Sequence, residues 1–414
     1  MYIQSVKIKN IKSFAELNWT LGEDTQKKGW HVILGSNGSG KSSLIRAVAF
    51  ALIGLREVVG ARQDTNRWIR SGQNKANLKV EIIEDNQYDQ RPSRKISPVY
   101  KLLIEISFKP SFVDSSNSDR EYGDTIWSKQ NNGWFSAGFG PFRRFTGGNS
   151  DLQQLYSSHP RLARHLSVFG EDVALTEALT WLRDLRFKQL ESQGQNNLID
   201  KIKDFINQDG FLPFGAKLTE VNSDQVVFRD GGGVDIPVLE LSDGYRSVLS
   251  LTFELIRQMA ACFPSHELFD GTGTNIVIPG VVLIDEVDVH LHPNWQREIG
   301  PWLCRLFPQI QFIVTTHSTF VCQEATSIWR LPDPGTDEEF KRVTGEELTR
   351  LKYGDATLAL ETQAFGLEQN RSDKANELLD ELAALNLKAS KIKLSDKEAK
   401  RLKELKTLLQ PVLP

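Results

Sequence analysis

The sequence predicts an α/β fold, a mixed sheet with flanking helices, and three stretches carry the prediction. The apolar run His31-Val32-Ile33-Leu34 breaks into the glycine-rich stretch Gly35–Ser42 and resumes as the apolar helix Leu44–Leu52. Strand, glycine loop, helix is the order in which backbone N–H groups can turn inward around an anion. Val281-Val282-Leu283-Ile284 is four β-favouring apolar residues running straight into Asp285-Glu286. Ile310–Val314 repeats the pattern and runs into Thr315-Thr316-His317-Ser318. Strands without polar alternation are buried on both faces, as in sheets covered by helices on either side.

The totals fit this class. At 414 residues the chain can bury a large core and divide into two or three domains or lobes. Apolar residues make up 40% and charged residues 25%, and the net charge of −3 gives no overall attraction to nucleic acid, so any such binding has to come from a local patch. The three cysteines, Cys262, Cys304 and Cys322, have neither C-x-x-C nor metal spacing, which points to buried thiols in a reducing compartment. There is no basic-then-apolar leader and no uninterrupted apolar run of about 18 residues, so a cytoplasmic protein without membrane contact is expected.

Along the chain, residues 2–20 place Ile3, Val6, Ile8, Ile11, Phe14 and Leu17 in alternation, predicting a strand pair that leads into His31–Leu34. Arg56, Arg62, Arg67, Arg70, Lys75 and Lys79 then face only Glu57 and Asp64 before a strand at Leu78–Ile83. Such a run is either a solvated face or a nucleic-acid patch. Residues 84–133, rich in Asp, Asn, Gln and Ser, read as surface loops around one strand, Tyr100–Phe108. Trp134-Phe135-Ser136-Ala137-Gly138-Phe139-Gly140-Pro141-Phe142-Arg143-Arg144-Phe145 is a glycine-punctuated aromatic stretch. It suits base stacking and phosphate contact, or packed core with one salt-bridged guanidinium.

From Glu171 to Ile206 the spacing of Leu175, Leu179, Leu182, Leu185, Leu198, Ile202 and Ile206 is helical. Gln225–Arg229 and Val234–Val238 flank Asp230-Gly231-Gly232-Gly233 as a hairpin. Ser242 is placed to cap the helix Val248–Met259, either as a simple helix start or as a second loop-to-helix anion site. The tail predicts two amphipathic helices, one over Ser372–Leu387 and one opened by the capping box Ser395-Asp396-Lys397-Glu398. That hairpin can pack on its own domain or dock a partner.

The chemistry-bearing residues fall into a pattern. Lys41 would reach the β- and γ-phosphates of a nucleotide and the Ser42 hydroxyl would bind Mg²⁺. Asp285 would hold Mg²⁺ directly or through water, and Glu286 would act as the general base on an attacking water. His317 ends its strand where open α/β sheets bind ligands, as a γ-phosphate partner or as a structural cap. His290 and His292 have H-x-H metal spacing, but no third convergent ligand is evident.

Together these residues resemble the head of an ABC-type ATPase with a helical signature lobe. Leu241-Ser242-Asp243-Gly244-Tyr245 resembles the LSGGQ signature, with Asp243 replacing the first glycine of its pair and Tyr245 the glutamine. The Asp285-Glu286 strand resembles Walker B, Asp288 the D-loop and His317 the switch histidine. IKNIKSF, GSNGSGKSS, DEVDVHLHPNWQ and FIVTTHS are similar to the RecF/SMC/OLD branch, not to membrane transporters. The segment between Ser42 and Leu241 lacks the heptads of an SMC arm, and the segment after His317 lacks a Toprim carboxylate pattern. GFGPFRR, LSDGYRS and the tail beginning Tyr353-Gly354-Asp355 are most similar to the Septu-type (PtuA-like) ATPase subunits of anti-phage systems, also found with retrons.

The resemblance implies an ATPase head over 1–366, with an insertion at about 84–240, and a helical tail over 367–414. It implies ATP and Mg²⁺ as ligands, with Gly35, Ser36, Asn37, Gly38, Ser39, Gly40, Lys41, Ser42 and Ser43 of one subunit and Ser242, Asp243 and Gly244 of another sandwiching each nucleotide. A homodimer, or a higher oligomer built from it, is therefore expected. It would control a separate effector, an HNH-type nuclease. The alternative is a RecF-like DNA-binding ATPase of repair or recombination, for which the Arg56–Lys79 run speaks. The Gln of the ABC Q-loop has no assigned counterpart.

Overall fold

Apolar alternation and apolar continuity sort the strands into two kinds of sheet. The computed structural model describes residues 1–22, 25–54, 57, 60, 63–89, 101–110, 112–117, 133–145, 158–170, 175–192, 197–264, 267–336, 338–365 and 372–410. It divides into two compact units, Met1–Tyr353 and Gly354–Pro414.

In the first unit β1 (Tyr2–Ile11) and β2 (Phe14–Thr20) form the expected antiparallel pair, and β3 (Gly29–Leu34) runs into α1 (Lys41–Ile53). The strands β4 (Ala76–Ile83), β5 (Lys101–Lys109) and β6 (Phe112–Asn117) extend the pair into an antiparallel sheet of order β2-β1-β4-β5-β6. The period-2 pattern decides which face is buried: in β5, Leu102, Ile104, Ile106 and Phe108 all point into the core. Of the loops expected at 84–133, residues 90–100, 111 and 118–132 lie outside the described residues, and β6 is a strand where loop was expected.

β7 (Ser136–Phe139) is followed by the helices α2 (Pro160–Phe169), α3 (Glu177–Glu191) and α4 (Leu198–Asn207). A small antiparallel sheet comes next, β8 (Lys217–Val221), β9 (Val226–Arg229) and β10 (Asp235–Pro237), with the predicted hairpin turn between the last two. The long helix α5 (Asp243–Cys262) leads to β11 (Gly280–Ile284), α6 (Pro293–Leu306), β12 (Ile310–Thr316), β13 (Ser327–Arg330), β14 (Lys341–Arg342) and α7 (Gly345–Tyr353). The second sheet has the order β14-β13-β3-β12-β11-β7, parallel except for β14.

Every residue of β11 and β12 is buried, as continuous apolar strands require. α1 is apolar almost all round because it lies between the two sheets, with Leu44, Val48 and Phe50 in the shared core. Phe50, Trp68 and Phe108 pack there as an aromatic cluster, the last two stacked with centroids 5.5 Å apart. Of the two readings of 134–145 the structure shows packed core, with Trp134, Phe135, Phe139 and Phe145 buried, and adds a strand the sequence reading lacked: β7 belongs to the central sheet, paired with β11 from Val281↔Ser136 to Ile284↔Phe139.

The second unit contains α8 (Ala356–Leu360), α9 (Asp373–Lys391) and α10 (Asp396–Leu409). Leu382, Leu405 and Leu409 are buried between α9 and α10, and Arg401 makes a two-pronged bond to Glu381 at 2.8 and 2.7 Å. Ser395 and Glu398 form the anticipated capping box. Among the described residues no helix is long and apolar enough to cross a membrane.

Candidate nucleotide site

The parallel sheet brings the carboxyl ends of β3, β12, β11 and β7 side by side, which is where open α/β sheets bind ligands. The predicted loop, acids and His317 sit at or just beyond these ends. β3 delivers its buried Val32-Ile33-Leu34 to Gly35. The loop then turns through Gly38 at φ +82° and Gly40 at φ +99°, a region that a side chain strains to enter. Gly40 is doubly required, because a Cβ there would come within 2.6 Å of both Phe14 Cζ and Ser13 Oγ. α1 starts immediately at Lys41, so the N–H groups of its first turn lack intrahelical partners and point at the loop.

The Lys41 side chain is buried, and its Nζ donates to the carbonyls of Gly35 at 2.8 Å and Ser36 at 3.0 Å. Burial lowers its pKa, while Glu286, Asp285 and Asp288 oppose that shift. Ser42 and Ser43 are half-buried on the first turn of α1. Ser39 Oγ is buried without a hydrogen-bond partner among the described residues. A cradle closed to side chains, orphan N–H groups and a buried ammonium held by neutral carbonyls fit an oligophosphate.

The acidic half of the site is built by β11 and β12 together. Their register pairs Ile284 with Val314, which sets Asp285 beside Thr315. Thr315 Oγ1 donates to Asp285 Oδ1 at 2.6 Å and accepts from the Glu286 N–H at 2.8 Å. Thr316 Oγ1 donates to Asp288 Oδ1 at 2.5 Å, and the His317 N–H reaches the same oxygen at 3.4 Å. Glu286 itself sits at φ +48°, a left-handed conformation unusual for a side-chain-bearing residue.

His317 is exposed on the rim, and its pKa is lowered by burial and by Lys41 while Asp288, Glu286 and Asp285 oppose. Lys41, His317 and the three acids thus share one electrostatic field. Thr315 and Thr316 were not singled out from sequence, since two threonines ending an apolar strand carry no signal of their own.

Ser242 occupies the N-cap position of α5, yet its side chain makes no capping bond and it is exposed. Asp243 pairs with Arg246 one turn on. Gly244 lies against the backbone of His290, whose carbonyl oxygen would be 3.3 Å from a Cβ at that position. Among the described residues, Ser242–Gly244 make no hydrogen bond to Gly35–Ser43, so the structure brings together the loop, the acids and His317 but not the signature segment.

His292 Nδ1 accepts the Asn294 N–H at the start of α6, and no cluster of three metal-ligating side chains occurs among the described residues. Cys322 is buried and Cys262 and Cys304 are half-buried, all as free thiols. In the basic run, Arg56 and Arg62 lie outside the described residues. Arg67 pairs with Asp64 at 3.3 Å, Lys79 with Glu105 at 3.1 Å, and Arg70 bonds the Ser13 carbonyl.

With this geometry in view, a model of the family described as "AAA domain, putative AbiEii toxin, Type IV TA system" matches residues 31–323. The chain belongs to this family. The match to this AAA domain begins in β3, just before the glycine loop, and ends beyond His317, so Gly35–Ser43, Ser242–Gly244, Asp285, Glu286 and His317 fall inside it. Among curated relatives, the "Retron Ec83 probable ATPase" of Escherichia coli is 25% identical over 83% of this chain and 73% of its own length. The "Septu protein PtuA" of Bacillus mycoides is 24% identical over 97% of this chain, which spans half of that relative's length. An SMC head bound to the C-winged helix domain of ScpA has a TM-score of 0.52 at 16% identity, covering 84% of this chain and 99% of that one. The head fold expected from the sequence is the observed one, and the chain is an ATPase of this AAA family related to the Septu and retron ATPases.

Proposed function

We propose that this ATPase works as a dimeric, nucleotide-driven switch over a separate effector nuclease of HNH type in anti-phage defence. The observation that carries the reading is the split site. Lys41, Asp285, Glu286 and His317 gather at one end of the sheet, while Ser242 stands exposed with an uncommitted hydroxyl. A second copy supplies the missing half when its Ser242–Gly244 meets Gly35–Ser43 of the first. The exposed Phe214 and the aromatic cleft formed by Tyr245, Trp295 and Trp302 beside Ser242 support a partner surface there. Kinship with the retron and Septu ATPases supports the defence role.

In the mechanism, the loop N–H groups and Lys41 bind and orient the phosphates of ATP. Ser42 and Asp285 would hold Mg²⁺, which supplies neutralisation of phosphate charge. Glu286 accepts the proton of the attacking water, and its carboxylate is aimed by a backbone pinned through Thr315. His317, whose pKa is lowered by burial and by Lys41, hydrogen-bonds the terminal phosphate. Loss of that phosphate removes the contacts joining the two copies, and the dimer reopens.

The test is Glu286→Gln. Hydrolysis is expected to fall by about 10²- to 10⁴-fold, with ATP binding retained and light scattering reporting a trapped dimer. Wild-type turnover by this variant, or full activity from a strictly monomeric protein, overturns the reading. The effector half is tested by DNA cleavage by an HNH-type nuclease mixed with this chain, with and without ATP; cleavage that is the same with and without the chain overturns it.

A further inference from the structure

Arg143, in the aromatic stretch whose role the sequence left open, is almost completely buried at the carboxyl end of β7. A guanidinium has five N–H donors in a planar fork, and here five acceptors receive them. Nη1 donates to the carbonyls of Gly140 at 2.9 Å and Asp285 at 3.1 Å. Nη2 donates to those of Glu286 at 3.1 Å and Val287 at 3.2 Å, and Nε donates to Ser247 Oγ at 3.2 Å. Among the described residues no carboxylate touches it, so the expected salt bridge is replaced by carbonyl dipoles.

Successive carbonyls of an extended chain point in opposite directions, so one side chain cannot ordinarily collect three in a row. The left-handed Glu286 breaks that alternation and turns the oxygens of Asp285, Glu286 and Val287 toward Arg143. Arg143 and Thr315 therefore hold the two sides of the strained residue, one on its carbonyl and one on its N–H. Burial lowers the Arg143 pKa to about 10, and Asp288, Asp285 and Glu286 oppose the loss, leaving it charged at neutral pH. Its own turn is rigid: the Gly140 N–H bonds Ser167 Oγ at 3.2 Å, and a Cβ on Gly140 would overlap the Ser167 carbonyl.

The fifth bond leads elsewhere. Ser247 is buried near the start of α5, five residues after Ser242. We propose that Arg143 is a positioning residue that couples the Ser242–Gly244 segment to the geometry of Glu286 in the same chain, an inference that rests on the split-site reading above. In a closed dimer, Ser242–Gly244 engages the nucleotide bound to the partner, whereas Glu286 acts on the chain's own. Arg143 then makes each catalytic glutamate responsive to whether the opposite site is filled.

The experiment measures kcat and equilibrium affinity for a fluorescent ATP analogue in Arg143→Ala, Arg143→Lys, Ser247→Ala and Ser247→Thr, with the wild type and Glu286→Gln beside them. Arg143→Ala is expected to lose about 100-fold in kcat, the scale of a displaced catalytic group, with affinity within about threefold of wild type. Arg143→Lys keeps the charge but not the fork and recovers only part of the rate. Ser247→Ala, which removes a single hydroxyl and decides the matter if Arg143→Ala does not fold, lowers kcat about tenfold in a protein that still unfolds cooperatively, and Ser247→Thr restores it.

Full-rate hydrolysis by Ser247→Ala or by folded Arg143→Ala, or parallel loss of rate and affinity, overturns the coupling alone. Absence of hydrolysis by the wild type, or its persistence in Glu286→Gln, overturns the underlying reading as well.

Discussion

The phosphate loop and the Glu286 turn lie at the same end of one parallel sheet and hold their shapes by opposite means. The loop is self-contained: Lys41 bonds Gly35 and Ser36, the Ser39 N–H bonds the Ser36 carbonyl at 3.2 Å, and two glycines supply the positive φ. The Glu286 turn contains no glycine and makes a left-handed residue out of a glutamate. It is held by Thr315, in the neighbouring strand, and by Arg143, more than a hundred residues earlier in the chain. A local motif carries its own geometry, whereas the turn has its geometry imposed, at a strain cost of about 1–3 kcal/mol.

The comparison can be broken most forcefully at Lys41. Lys41→Ala removes a charge-assisted contact to the phosphates without touching the turn, and ATP affinity is expected to fall by about 100-fold or more. Equilibrium binding measures it, and retained affinity would mean that the loop is not the phosphate site. Next in size is Thr315→Val, which keeps the shape but leaves Asp285 Oδ1 and the Glu286 N–H each without this partner. A loss of about 2 kcal/mol in urea unfolding is expected, since each orphaned buried group costs about 1–3 kcal/mol and the site relaxes in part. Hydrolysis should drop with ATP affinity nearly constant, so that turn and loop respond separately.

The smallest effect sharpens the comparison, because His317 feels both regions. Lys41 of the loop lowers its pKa, and Glu286 of the turn raises it. An NMR titration should find the midpoint below the ordinary 6.5. Lys41→Ala is expected to raise that midpoint and Glu286→Gln to lower it. Shifts of the opposite sign would separate His317 from the shared field.

Much of this site was legible in the sequence, and what was hidden has a physical pattern. Gly35–Ser43, Asp285-Glu286 and His317 stand at strand ends because long apolar runs make recognisable strands. β7 was hidden because Ser136-Ala137-Gly138-Phe139 is short and has neither alternation nor β-branched residues. Arg143 was read as a base- or phosphate-contacting residue, or as half of a salt bridge, since sequence cannot say that three carbonyls will face it. The basic run read as a solvated face or a nucleic-acid patch, and the fold adds that Arg67 pairs with Asp64 and Lys79 with Glu105.

By itself the sequence determined the α/β class, the glycine loop between β3 and α1 and the placing of the acids at a strand end, because these depend on glycine's conformational freedom and on apolar period, both properties of neighbouring residues. Tertiary structure alone decided how Glu286 is aimed, that Thr315 and Arg143 hold it, and that Ser242 stands apart from Gly35–Ser43. Hydrogen-bond direction at a strand end depends on which distant groups the sheet register and the buried helices bring alongside, and no local pattern of residues records that.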